Sequence, residues 1–183
     1  MEMDPIFQMV FSKVSGKPCW NVKPGHGSLI TFEFGEPRIE IIEPRTTERK
    51  VSARVRKNLA RRIVFPRGEW HLWIYCCDWS VSRSGKIVGD CSTNRRIRNA
   101  VDDLGGQCLT DITIVKRGCR TIFAFDLGSV METRPYDRGS EQWMLYEPSG
   151  NILTLRADKR YSYQAGDTAP DKTEWLPIDV ATR

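Results

Sequence analysis

Histidine is scarce in this chain, and metal-binding spacings are absent. Of 183 residues only two are histidine, His26 and His71. There is no C-x-x-C and no H-x-x-x-H, so no tetrahedral zinc site is legible. Cys76 and Cys77 are adjacent and would point to opposite faces of a strand, which opposes joint ligation. No G-x-G-x-x-G turn or Walker loop is present, and Gly25-His26-Gly27-Ser28 reads as a hairpin turn rather than a phosphate cradle. No apolar run approaches the roughly 20 residues needed to span a bilayer. The start, MEMDPIFQMV, carries acids where a signal peptide needs bases, so a cytoplasmic chain is expected. Six cysteines without an export signal then read as free thiols, and Cys19 and Cys108 as small buried hydrophobes. His71 and Cys77 would lie about 20 Å apart along one strand, too far for a nucleophile–base pair. No catalytic residue, metal or cofactor is assigned, and a non-enzymatic protein is expected.

What the chain does contain is an internal echo. VKPGHGSLITFEFG at 22–35 and VKRGCRTIFAFDLG at 115–128 match without gaps at Val22/Val115, Lys23/Lys116, Gly25/Gly118, Phe32/Phe125 and Gly35/Gly128. Other landmarks recur in order. Asp4-Pro5 suits a helix start ahead of Ile6, Met9 and Val10. Ser92 or Thr93 suits the cap of a second helix, with Ile97, Ala100, Val101 and Leu104 on one face and Gly105 expected in the left-handed conformation that ends it. Glu69–Trp73 followed by Ser84-Gly85 resembles Glu141–Tyr146 followed by Ser149-Gly150.

Period-two alternation marks strands around 29–34, 38–41, 112–115 and 152–156, with Gly25, Gly35, Gly118, Gly128 and Gly150 as turns. The expected fold is α+β: a tandem duplication of a helix plus an antiparallel β-meander, related by a pseudo-two-fold. An all-β sandwich or barrel is the alternative. The units are 1–91 and 92–164, followed by an extended tail, 165–183, that Trp175 and Leu176 pin to the body. Glu33 and Asp126, equivalent in the two copies, read as solubilising charges on a wet face rather than as a hydrolytic pair.

Charge is concentrated in one place. Residues 45–67 hold nine basic residues and one acid, a net of +8; the whole chain is +5, which leaves −3 elsewhere. A basic stripe on an acidic body suits a polyanion or an acidic partner. Alternation over Val51–Arg56 predicts a strand with Arg54 and Arg56 pointing outward, joined by Lys57, Arg61 and Arg62. The segment has no aromatic before Phe65, unlike surfaces that stack single-stranded bases, and edge protection is the simpler reading.

The densest apolar stretch is GEWHLWIYCCDW, 68–79. As a single strand it would place His71, Trp73, Tyr75 and Trp79 on one face, opposite Trp70, Leu72 and Ile74, so both faces need cover. A partner groove is the functional reading; the other unit, a helix or a second copy of the chain in a homodimer would also provide that cover.

In outline, the repeated meander with its Trp strand and Ser-Gly turn resembles small bacterial proteins, some of which neutralise toxins. The resemblance implies an immunity- or antitoxin-like role and transfers no residue. The expected function is macromolecular binding through the basic hairpin or the aromatic groove, with a protein as partner. Nucleic acid bound by the Arg-rich segment is one alternative. A small-molecule or hydrolytic site between the repeats is another.

Overall fold

Asp4 opens the first helix as the sequence predicts: its side chain accepts from the Ile6 N–H, and Pro5 occupies the first turn. The second motif is similar, with Thr93 accepting from the Arg96 N–H. That helix buries Ile97, Ala100 and Leu104. Its end differs from expectation. Gly105 keeps φ −57, and Gly106 takes the left-handed φ of +87.

The computed structural model describes residues 4–115 and 117–178. The first part of the chain forms α1 (Pro5–Val14), β1 (Cys19–Pro24), β2 (Ile30–Phe34), β3 (Arg38–Ile42), α2 (Ala53–Leu59), β4 (Ile63–Arg67), β5 (Trp70–Ile74), β6 (Cys77–Arg83) and β7 (Lys86–Asp90). The rest forms α3 (Asn94–Leu104), β8 (Leu109–Val115), β9 (Arg120–Phe125), β10 (Ser129–Pro135), β11 (Glu141–Tyr146), β12 (Asn151–Arg156), β13 (Arg160–Ala165) and β14 (Leu176–Pro177). The paired strands are antiparallel throughout, which makes the protein β-rich α+β. Among the described residues no helix is long and apolar enough to cross a membrane.

The sheets do not divide at residue 91. One runs β1-β2-β5-β11-β12-β13-β14 and the other β7-β6-β10-β9-β8. Each therefore takes strands from both halves, contrary to the expected separate meanders. Read from β1 and from β8, the first five positions match: β1-β2-β5 beside β11-β12, and β8-β9-β10 beside β6-β7. The last hairpin of each half lies in the other half's sheet. Strands β5 and β11, which the order of landmarks set as counterparts, are direct neighbours, with Leu72 opposite Leu145. Trp143 and Trp79 stand in the matching places instead. Phe34 pairs with Cys19, as Phe125 pairs with Leu109, so the ungapped alignment is two residues out at Phe32. Lys116, matched to Lys23 in that alignment, lies outside the described residues.

The sheets meet where β1 and β8 begin. The Gly16 N–H donates to the Leu109 carbonyl at 2.7 Å, and the Gly106 N–H donates to the Cys19 carbonyl at 2.8 Å. Pro18 bridges Cys108 between them. The inner faces share one core. Phe11 sits against Phe123 and Trp143, and Trp143 donates its indole N–H to Thr121 across the sheets. Cys19 and Cys119 are buried free thiols, whereas Cys108 is half-buried.

The tail is docked as far as Ile178. β14 pairs with β13, the Arg156 guanidinium lies 4.5 Å over the Trp175 ring, and Ile178 is buried. Leu176 is exposed. Residues 179–183 of the expected tail lie outside the described residues.

Helix α3 approaches β7 closely because Gly89 has no side chain. A Cβ there would stand 2.4 Å from the Arg96 carbonyl and 2.6 Å from the Ala100 nitrogen, both backbone atoms. Gly89→Ala is expected to cost about 1–3 kcal/mol through overpacking, read as a lower urea midpoint at unchanged slope.

Candidate functional site

The turn between β2 and β5 is where the two sheets differ most. In one sheet β9 passes to β10 through Asp126-Leu127-Gly128. In the other, residues 35–69 fill the same connection and form an arm: the β3–β4 hairpin with α2 at its tip. The basic segment, 45–67, runs through α2 and β4 of this arm.

The arm returns to the sheet at a close approach. A Cβ on Gly68 would lie 2.7 Å from the Phe34 oxygen and 2.9 Å from its nitrogen, so only glycine fits. The Gly68 N–H donates to Glu33 Oε2 at 3.0 Å, and Arg67 donates to Glu33 Oε1 and to Glu40 Oε2. Glu33 is therefore buried, 1% exposed, and not on a wet face as its alternation predicted. Asp126, its proposed equivalent, is exposed in the turn between β9 and β10.

The hairpin has two unlike faces. Pairing sets Ile39 opposite Pro66 and Ile41 opposite Val64. Ile39, Ile41 and Val64 are 65%, 54% and 56% exposed. The other face carries Arg38, Glu40, Phe65 and Arg67, with Arg67 over the Phe65 ring at 5.0 Å. Helix α2 replaces the strand expected over Val51–Arg56. Ser52 caps it by accepting from the Val55 N–H, and it buries no residue. Arg54, Arg56 and Lys57 lie on α2 and Arg61 just beyond it. All four are exposed and, among the described residues, form no salt bridge. Arg62 pairs with Glu43 at 2.9 Å in an exposed contact.

Under the hairpin's inner face lies a cleft of about 330 Å³, walled by Arg38, Glu40, Arg67, His71, Trp73, Tyr146 and Glu147 among others. Glu33 opposes His71 across β2 and β5. His71 Nδ1 is 2.9 Å from Glu33 Oε1 and 3.1 Å from the Phe32 carbonyl. The Trp73 indole N–H donates to His71 Nε2. These partners assign the Nδ1–H tautomer and leave neither ring nitrogen open for general-base work. The rings cluster: Trp73–Tyr146 centroids are 5.4 Å apart and His71–Tyr146 centroids 5.8 Å. Burial alone would raise the Glu33 carboxyl. The His71 and Gly68 hydrogen bonds and the nearby charges outweigh it and hold Glu33 below the usual carboxylate range. Lys17 neutralises Glu69 at 2.9 Å. Glu147, 7% exposed, accepts from Ser149 and Tyr163 at Oε2, while its Oε1 has no hydrogen-bond partner.

The structure brings His71 and Trp73 together but not Tyr75 and Trp79. The stretch 68–79 is two strands, broken where Cys76 takes φ +44. Tyr75 is at that crossing, 38% exposed. Trp79 belongs to the other sheet, is buried, and donates to the Ser28 carbonyl at 2.7 Å. Sequence reasoning missed Tyr146 and Glu147, and counted Arg67 only as a basic charge. The usable signal was the need to cover the second face of β5, a need that falls equally on Thr31 and Glu33 of its neighbour β2. Burial pushes the Cys19 thiol up to about 12, and Cys77 is raised for the same reason, so neither is a ready nucleophile. Among the described residues no cluster of three His, Cys, Asp or Glu could hold a metal. Comparison with protein families, curated proteins and solved structures finds no match.

Glu33→Gln breaks a buried charged hydrogen-bond set and is expected to cost about 3–5 kcal/mol near neutral pH. Because the native carboxyl is depressed, its contribution is complete above the ordinary value of 4.5 and is lost as pH falls through the lower native value. Urea unfolding from about pH 7 to pH 3 should show a shallower acid decline in the variant than in the wild type.

Proposed function

We propose that this is a non-enzymatic binding protein whose arm docks an acidic protein partner. The observation that carries this reading is the pairing of an exposed aliphatic face, Ile39, Ile41 and Val64, with a basic helix that buries nothing. Apolar side chains held in water next to a block of one charge suit a patch whose partner supplies an apolar centre and an acidic rim. The segment's net +8 against −3 for the rest of the chain gives that partner its sign. An immunity- or antitoxin-like protein would use such a surface. Self-association through two arms of equal charge is disfavoured by repulsion.

Nucleic acid on Arg54, Arg56, Lys57, Arg61 and Arg62 is the second reading. The aliphatic outer face weighs against it, since nucleic-acid surfaces are polar and stack bases on aromatics. A hydrolytic site is disfavoured by His71, whose two nitrogens are both engaged.

The test is affinity capture from the native lysate at low salt, with nuclease, using the wild type, Ile41→Asp and the triple variant Arg54→Glu/Arg56→Glu/Lys57→Glu. A partner of acidic pI should be retained by the wild type and lost at least tenfold from both variants. High 260 nm absorbance that salt removes, with insensitivity to Ile41→Asp, would transfer the reading to nucleic acid.

The duplication belongs to the same proposal: two copies, 1–91 and 92–164, that exchanged their last hairpins. The matching strand orders and the two bonds Gly16–Leu109 and Gly106–Cys19, each residue 90 positions from its counterpart, support it. Fragments cut after residue 91 should each lack a cooperative unfolding transition and should regain one when mixed. A fragment that unfolds cooperatively alone would refute the exchange.

A further inference from the structure

We propose that the cleft beneath the arm is a separate small-ligand site, and that it takes an organic cation, a primary ammonium or amidinium carried on a flat apolar body. The argument is one of unmatched charge. Four carboxylates stand in or under this cleft. Glu33 is held by His71, Arg67 and the Gly68 N–H, Glu40 by Arg67, and Glu69 by Lys17. Glu147 alone among them has only hydroxyl donors, from Ser149 and Tyr163, both on Oε2. Its Oε1 is buried and accepts nothing. Glu147 lines the cleft, and a buried carboxylate oxygen without a donor is unfavourable; turning Oε1 toward the cleft would give it a cationic N–H, the strongest donor for it.

The rest of the wall suits the body of such a ligand. Trp73 and Tyr146 are half-buried, with ring planes tilted at 52°. Aromatic faces attract a cation and pack a flat apolar group. Trp73 is fixed by its bond to His71, which Glu33 fixes in turn, so the surface is set before binding. The volume, about 330 Å³, lies at the lower end of the range of about 300–1,000 Å³ typical of small-molecule pockets. Arg38 also lines the cleft, but it is exposed, and solvent screens its repulsion. The site differs from the proposed docking surface in face and in charge: it uses the inner side of the hairpin, whereas the partner would use the outer side and α2.

The experiment titrates the full chain with benzamidine and phenethylamine, and in parallel with their neutral counterparts benzamide and 2-phenylethanol. The Trp73 indole N–H resonance, assigned with Trp73→Phe, and calorimetry are the readouts. The cations should bind at least tenfold more tightly than the neutral compounds and should shift the Trp73 resonance. Glu147→Gln, which keeps the shape and removes the charge, should erase that preference. Equal affinity for charged and neutral compounds, no shift at Trp73, or an unchanged preference in Glu147→Gln would overturn the proposal. If Glu147→Gln does not fold, the charged-to-neutral ratio and the Trp73 shift in the wild type decide alone. Loss of partner capture in Ile41→Asp with cation binding intact would separate the two sites.

Discussion

One buried carboxylate organises the arm and the cleft beneath it. Glu33 sits on a strand whose both faces are covered, and burying its charge is tolerable only because donors converge on it. The donors come from different places: Gly68 and Arg67 from the returning arm, His71 from the next strand. The same contacts that stabilise the charge bring the arm's end against the sheet and orient His71 and, through it, Trp73. The hairpin's inner face, the wall of the cleft and the placement of the basic helix all follow from that convergence.

A second constraint acts on the body. Strands β1, β2 and β5 lie in one sheet and the following hairpin β6–β7 in the other, while β8, β9 and β10 lie in the second sheet and the following β11–β12 in the first, so each sheet is completed by strands from both parts of the chain. The core that results is shared. Trp143 reaches from its own sheet to Thr121 in the other and packs on α1. The arm can project from this frame because it replaces a three-residue turn between two strands that remain paired, Phe34 opposite Trp70, beneath it.

Several features were legible one residue at a time. Asp4, Pro5 and Thr93 announce helix starts because capping is local chemistry, complete within a few residues. The stripe Ile97, Ala100, Leu104 marks a buried face because helical periodicity is local too. The concentration of positive charge in 45–67 needs no coordinates. What misled was alternation read without neighbours. It made Glu33 a wet-face charge, although β5 and the arm cover that face, and it drew one strand through 68–79, although Cys76 turns the chain into the other sheet. It also favoured a strand over 51–56, where Ser52 caps a helix.

Sequence alone determined the class of this protein: antiparallel β structure with short capped helices and one arginine-rich segment, because propensity, capping and charge are properties of neighbouring residues. Tertiary structure alone decided which strands share a sheet, that Glu33 is buried, and that Tyr146 and Glu147 face His71 and Trp73. Those outcomes depend on pairing between residues far apart in the chain, such as Glu33 with Gly68 and His71 with Tyr146, and no local preference encodes which distant strand will satisfy a backbone edge or a buried charge.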